Sequence, residues 1–233
     1  MKLLAIIPAR KGSKGIPNKN YKIFNKKPLI YWTIKAALKS RCFDKIIVST
    51  DSQKIQDFSK KMGVESPYLR PKNLSGDKTN VHKVVKHVIN FYKKKYKYIP
   101  EAVAILQPTS PLREFSDIKN CCKIFKKFKP DSLVSILKIS HNYNPENLYT
   151  LKKNYLTKIK KEKKLLQRQQ QKIYYARNGA SIYITKMDKI KNFILGGKIK
   201  GYEMNKLKSI DINDINDFIF AELIQKKFKY NLN

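Results

Sequence analysis

Short, fully apolar runs that alternate with segments of helical period constrain this chain more than any other feature of it. Residues 3–7 (LLAII) are apolar at every position and stop at Pro8, the pattern of a strand buried on both faces. Over residues 29–38 the apolar side chains recur at helical spacing through Ile30, Ile34, Ala37 and Leu38, and residues 45–49 supply a second apolar run. The alternation continues with a predicted helix over 53–62, a short strand over 64–69, a helix over 81–92, a strand over 102–106, a helix over 117–128 and a strand over 133–137. Regular structure is expected again over 180–185 and 206–210, and a last amphipathic helix over 215–227. Strands alternating with helices require crossover connections, so the reading is α/β: a doubly wound, mostly parallel sheet with helices on both faces.

A chain of 233 residues, 42% of them apolar, carries enough core for one domain over 1–233. Within it, residues 141–172 lapse into Asn, Lys and Gln, which predicts an inserted arm, either a mobile loop or a β-hairpin that reaches a partner subunit. No run approaches the roughly 18 consecutive apolar residues of a membrane span, so no membrane partner is expected. The opening MKLLAIIPA is cut short by Arg10, Lys11 and Lys14, which makes it a buried strand rather than a secretory leader. Three cysteines, an odd number without framework spacing, point to a reducing cytoplasm.

A formal charge of +34 on its own suits nucleic acid or another polyanion. Only six of the 51 basic residues are arginine, however, and lysine is spread from Lys2 to Lys229 with no basic tail. Base-reading proteins rely on bidentate Arg and concentrate their charge. The dispersed lysines therefore read as a solvated surface with no nucleic-acid partner, and a non-enzymatic polyanion-binding protein is the alternative.

The first strand runs into a basic loop, Arg10 to Asn20, at the sheet edge where open α/β folds bind ligands. Gly12 and Gly15 are expected to turn backbone N–H groups inward while Arg10, Lys14 and Lys19 add positive charge, a combination suited to polyphosphate. The spacing is neither a Walker A loop nor a dinucleotide fingerprint: Pro17-Asn18-Lys19 and Gly12-Ser13-Lys14 stand where those motifs need Gly-Lys-Ser/Thr and Gly-x-Gly. Gln107 opens Pro108-Thr109-Ser110-Pro111 at the same edge, and its amide can both donate to and accept from a polyhydroxylated ligand. Asp211 and Asn213, two apart between a strand and a helix, offer oxygen ligands of the kind Mg²⁺ takes, while Asp214 suits the cap of that helix. His82, His87 and His141 do not combine with cysteines at metal-ligand spacing, and Cys121-Cys122 reads as helix packing.

The loop ARKGSKGIPNKN resembles the signature of the N-acylneuraminate cytidylyltransferases, the CMP-sialic acid synthetases and their relatives acting on bacterial nonulosonic acids. VSTDSQKI (48–55), LRPKNLSGDKT (69–79), LQPTSPLR (106–113), NGASIYI (178–184) and IDINDINDF (210–218) resemble further blocks of that family in the family's order. Together they cover nearly the whole chain. The resemblance implies a fold of the nucleotidyltransferase, Rossmann-like kind. It also implies a reaction in which the anomeric hydroxyl of a nine-carbon 2-keto sugar acid attacks the α-phosphorus of CTP in line. CMP-sugar forms and pyrophosphate leaves, with Mg²⁺ offsetting phosphate charge.

Carried onto this sequence, the resemblance places Arg10, Ser13 and Asn20 on the nucleotide and makes Lys19 a catalytic group on the phosphates. Arg70 and Thr79 fall in the same nucleotide site, with Asp77 nearby. Gln107 and Asn178 fall on the sugar acid, Arg168 in the place of the catalytic arginine, and Asp211 and Asn213 on the metal. The family normally has Asp at both of these last positions, and this chain has Asn at the second. A homodimer is implied as well, with the 141–172 arm contributing to the partner's sugar site. The alternative within the class is a cytidylyltransferase for the eight-carbon acid KDO, whose first loop typically differs where this chain has GSKGIP.

Overall fold

The computed structural model describes residues 1–13, 15–159, 172–179, 181–190 and 193–230. In chain order, β1 (Leu3–Pro8) is followed by a small hairpin, β2 (Ile23–Phe24) and β3 (Lys27–Pro28), then α1 (Leu29–Ser40), β4 (Lys45–Ser49), α2 (Gln53–Lys61), α3 (Val81–Tyr96) and β5 (Ala102–Ile105). The second half contains α4 (Phe115–Phe128), β6 (Ser132–Lys138), a hairpin of β7 (Tyr149–Lys152) and β8 (Tyr155–Lys158), β9 (Tyr175–Arg177), β10 (Tyr183–Lys186), β11 (Ile199–Glu203) and α5 (Ile215–Phe228). The main sheet has the order β11-β6-β10-β5-β1-β4, with β9 also paired to β6. β1, β4, β5, β6 and β11 share one direction, and β10 and β9 run against it.

Burial on both faces explains the unbroken apolar runs. Leu3, Ala5 and Ile7 of β1 pack with Ile30 and Ile34 of α1, Ile55 of α2 and Phe125 of α4. Leu4 and Ile6, on the opposite face, pack with Val85, Val88 and Tyr92 of α3. A third cluster joins Ile16 of the basic loop to Phe24, Leu29 and Trp32 and to Phe218 and Ala221 of α5, so the loop is anchored at its base. Cys121 and Cys122 are buried on α4, as their position in a helical pattern predicts, and both are free thiols, as is half-buried Cys42. Among the described residues no helix is long and apolar enough to cross a membrane.

Three expectations need correction. The strand expected over 64–69 is reduced to two isolated parallel bridges, Ile47 with Glu65 and Thr50 with Leu69, because Pro67 lies between them and has no N–H to give to a ladder. Residues 206–210 contain a 3₁₀ turn, Leu207–Ser209, and the strand that closes the sheet lies earlier, at β11. Its alternating, solvent-facing residues pair in parallel with β6 at the sheet edge, so no apolar run marks it. α4 begins at Phe115, where Glu114 and Asp117 form a reciprocal capping box. In the arm, β7 and β8 form a hairpin whose two-residue turn, Lys153-Asn154, has φ of 47° and 65°, the geometry of a primed turn. Residues 160–171 of the arm lie outside the described residues.

Candidate active site

At the C-terminal edge of β1 and β5 a cleft of about 460 Å³ is lined by Arg10, Ser13, Lys19, Asn20, Arg70, Thr79, Gln107 and Asn213, eight of the eleven residues singled out from the sequence. Asp211 and Asn178 are not among the lining residues. Arg168, like Lys14, lies outside the described residues.

The basic loop is held by its own side chains. Asn20 is buried, and its Nδ2 donates to the Arg10 carbonyl at 2.8 Å, which fixes the loop where it leaves β1. The Lys11 N–H donates to Asp51 Oδ1 at 2.7 Å, and Lys19 Nζ reaches across to the Ile212 carbonyl at 2.7 Å. Arg10 itself forms an ion pair with Asp77. Neither Gly12 nor Gly15 takes a left-handed φ, and the residue that does is Asn18, at φ 51°. Gly15 is needed for close approach instead: a Cβ there would lie 2.4 Å from the Asn213 carbonyl oxygen. That contact sets the loop against the segment that leads into α5.

Arg70 is 5% exposed, and neither its Nε nor its Nη2 has a hydrogen-bond partner; the nearest carboxylate oxygen of Asp51 is 3.9 Å from Nη2. Burial pulls its pKa down, Asp51 opposes that, and Arg10 adds to it. A buried guanidinium with unmet donors is costly unless an anion arrives to take them. Lys19 is likewise held below an ordinary lysine, by burial first, with Asp211 opposing and Arg10 reinforcing the shift.

Burial raises the pKa of the Asp211 carboxyl, while the Thr109 hydroxyl and Lys19 pull the other way. Its Oδ1 is buried and has no hydrogen-bond partner. Gly179 makes room for it: φ is +65°, and a Cβ would fall 2.6 Å from the Asp211 Cγ. Gly179→Ala is therefore expected to lose about 1–3 kcal/mol of stability from the strained backbone and to displace the carboxylate, visible as a lower melting temperature together with lost activity. Asn213 lines the cleft, with its Nδ2 donating to the Asp211 carbonyl at 3.2 Å. Asp214 caps α5, its Oδ1 accepting from the N–H groups of Asn216 and Asp217 at 2.9 and 3.0 Å. An orphaned carboxylate oxygen beside a cleft amide is a hard-oxygen donor set that fits Mg²⁺. Among the described residues no group of three His, Cys, Asp or Glu could hold an ion, so an ion at Asp211 and Asn213 would need further oxygens from water or a bound ligand.

Asn178 is buried, and its amide is spent inside the protein: Oδ1 accepts from Ser135 Oγ at 2.7 Å, and Nδ2 donates to Ser209 Oγ at 3.0 Å. It ties β6 to the 3₁₀ turn and does not line the cleft. Sequence reasoning passed over Arg113, the last residue of LQPTSPLR, which lies fully buried directly beneath Gln107. Its only sequence signal is an arginine closing an otherwise uncharged turn.

A mixed α/β sheet with a cationic cleft at the C-terminal ends of its parallel strands suits a phosphate-bearing ligand. A family model described as cytidylyltransferase matches residues 4–231, and the chain belongs to that family. It is 32% identical over 97% of its length to the N-acylneuraminate cytidylyltransferase of Escherichia coli O18:K1:H7, and it spans only 52% of that relative. It is 41% identical over 60% of its length to the CMP-N,N'-diacetyllegionaminic acid synthase of Legionella pneumophila, again covering 60% of the relative. The chain thus spans little more than half the length of these curated relatives. The pseudaminic acid cytidylyltransferase of Campylobacter jejuni is 30% identical, and the match covers 97% of both chains. Among solved structures, a CMP-2-keto-3-deoxy-manno-octonic acid synthetase complexed with CTP superposes with a TM-score of 0.71 at 15% identity, over 98% of this chain and 100% of the other. A 4-diphosphocytidyl-2C-methyl-D-erythritol synthase from Anaerococcus prevotii gives 0.64 at 12% identity, over 97% and 98%. These two share the fold.

Proposed function

We propose that this chain transfers CMP from CTP to a nonulosonic acid, either sialic acid or a legionaminic or pseudaminic relative, with release of pyrophosphate. The observation that carries the reading is the convergence of Arg10, Lys19 and buried Arg70, whose Nε and Nη2 have no hydrogen-bond partner, on one cleft that Gln107 also lines. The chemistry needs little from the protein beyond holding two anions that repel each other and neutralising the charge of the departing pyrophosphate. Arg10, Lys19 and Arg70 hold the triphosphate. Ser13, Asn20 and Thr79 complete the nucleotide side, and Gln107 orients the sugar hydroxyls for in-line attack. Asp211 with Asn213 would hold Mg²⁺, which when bound offsets charge on the phosphates. The names of the N-acylneuraminate, legionaminic and pseudaminic relatives support this class of acceptor. The test is pyrophosphate release from CTP across a panel of sialic, legionaminic and pseudaminic acids, with KDO for comparison. Turnover of KDO alone would install the eight-carbon acid as substrate. Tight, strongly salt-dependent DNA binding without pyrophosphate release would favour a polyanion-binding protein.

The same reading makes the protein a cytoplasmic homodimer, consistent with its free thiols. The β7–β8 hairpin leaves Leu151, Tyr155 and Leu156 at 68%, 79% and 66% exposure, and a two-stranded hairpin is marginal without something to pack on. Light scattering at micromolar concentration is expected to report twice the chain mass, and Leu151→Asp with Leu156→Asp to reduce it to the monomer. A monomeric wild type would remove the arm from any interface.

A further inference from the structure

The largest fully buried side chain among the described residues is a cation. Arg113 is 1% exposed, in the turn between β5 and α4. Its Nη1 donates to the carbonyls of Ser181 and Gln107, the latter at 3.3 Å, and its Nη2 donates to Thr33 Oγ1 at 2.8 Å. Thr33 Oγ1 in turn donates to the same Gln107 carbonyl at 3.4 Å, so α1, β5 and β10 meet on one guanidinium. Burial pulls this arginine down to about 9, against Asp117. Such a cost is not accepted for packing alone, since an apolar side chain of similar volume fills the space without it.

The strand register shows what the guanidinium does. β5 and β10 are antiparallel, and their last pair toward the cleft is Ile105 with Tyr183. Continued two residues past the strand ends, that register would set Gln107 opposite Ser181. Neither residue continues the ladder there. Both carbonyls turn onto Arg113, while Gln107 lines the cleft with its Oε1 accepting from Thr109 Oγ1 at 3.4 Å. Lysine cannot copy this arrangement, because one ammonium lacks the planar fork that reaches two carbonyls and a hydroxyl together.

We propose that Arg113 is a positioning residue for the sugar acid: by ending the β5–β10 pairing and gripping the Gln107 carbonyl, it aims the Gln107 side chain into the cleft. This rests on the proposed cytidylyl transfer, with Gln107 on the sugar. The test compares wild type with Arg113→Lys and with Thr33→Val, which removes one acceptor of the guanidinium and leaves the charge in place. The expected result is a KM for the sugar acid raised tenfold or more in Arg113→Lys and about threefold in Thr33→Val, with the KM for CTP within twofold of wild type. A fall in melting temperature with both KM values unchanged, or a parallel rise in both, would overturn the assignment. If the wild type releases no pyrophosphate with any acid, the reading of function fails, and a crystal structure of Arg113→Lys still decides the positioning role. Expected there is a Gln107 side chain withdrawn from the cleft and strands paired through 107 and 181. A Gln107 that stays in place overturns it. Should Arg113→Lys fail to fold, the same two readouts are taken on Thr33→Val.

Discussion

Asp211→Ala lowers turnover by about 10²- to 10³-fold, or roughly 2.7–4 kcal/mol of transition-state stabilisation. Asp211 is the only carboxylate of the proposed metal pair, and its buried Oδ1 has no other partner to satisfy it. Asn213→Asp is the opposite experiment. A second carboxylate adds attraction to a divalent ion in a partly desolvated cleft, so the Mg²⁺ concentration for half-maximal rate falls. A Mg²⁺ titration of wild type and both variants at fixed CTP checks the pair. Full activity of Asp211→Ala at low Mg²⁺ would move the ion elsewhere. An unchanged titration in Asn213→Asp would leave Asp211 as ligand and take Asn213 off the metal. Stability changes the other way. Because burial raises the pKa of Asp211, its ionised form is penalised in the folded state, and the penalty is fully present above the folded pKa and relieved as pH falls to the ordinary carboxylate range. Asp211→Asn is therefore expected to melt higher than wild type near pH 7, to lose that advantage toward pH 3–4, and to turn over more slowly than wild type throughout.

The second large effect belongs to Lys19. Lys19→Ala removes a charged donor from the triphosphate wall and lowers kcat/KM for CTP by tenfold or more, in line with about 1.5–3 kcal/mol for a charged hydrogen bond. Its pH profile separates Lys19 from Arg10. Burial, with the neighbouring Arg10 adding to it, holds the Lys19 ammonium below its usual 10.5. The protonated form is the one that binds phosphate, so kcat/KM for CTP, which reports the free enzyme, falls as pH rises through that lowered value. Lys19→Arg carries a charge that does not titrate in this range and moves the alkaline limb upward. An alkaline limb that stays put in Lys19→Arg, or wild-type kinetics in Lys19→Ala, would remove Lys19 from the phosphates.

Both predictions depend on residues whose place is legible in the amino-acid sequence, and the reason is local. Arg10 to Asn20 sits at the end of an apolar run, and Asn213 sits just before a helix, so strand-end and cap chemistry put them on the cleft at the strand ends. What stayed hidden depends on contacts between distant segments. Gly15 looks like a turn glycine in the sequence, yet it is small for the Asn213 carbonyl, and Gly179, which does take a positive φ, also leaves room for the Asp211 carboxylate. Asn178 has the side chain of a ligand-binding residue and spends it on Ser135 and Ser209. Arg113 cannot be told from a surface arginine until β5 and β10 are known to be neighbours. β11 is similarly silent, because an edge strand with one polar side needs no apolar run.

The reversed strand β10 also bears on the order in which the molecule is built. β5 and β6 run parallel with a strand's width between them, and the chain that fills it, Tyr183–Lys186, arrives only after β6, the arm and β9 have been made. During synthesis from the N-terminus, the facing edges of β5 and β6 are unpaired while about fifty residues emerge, at roughly 5–20 residues per second. Those edges carry Val103, Ile105 and Val134, apolar backbone that is open to pairing with another nascent chain. The long-range closure by β10 is therefore expected to be the slow, aggregation-exposed step of folding. Substitutions that weaken β10 without touching the cleft will lower the yield of soluble protein more than the activity of the molecules that complete it.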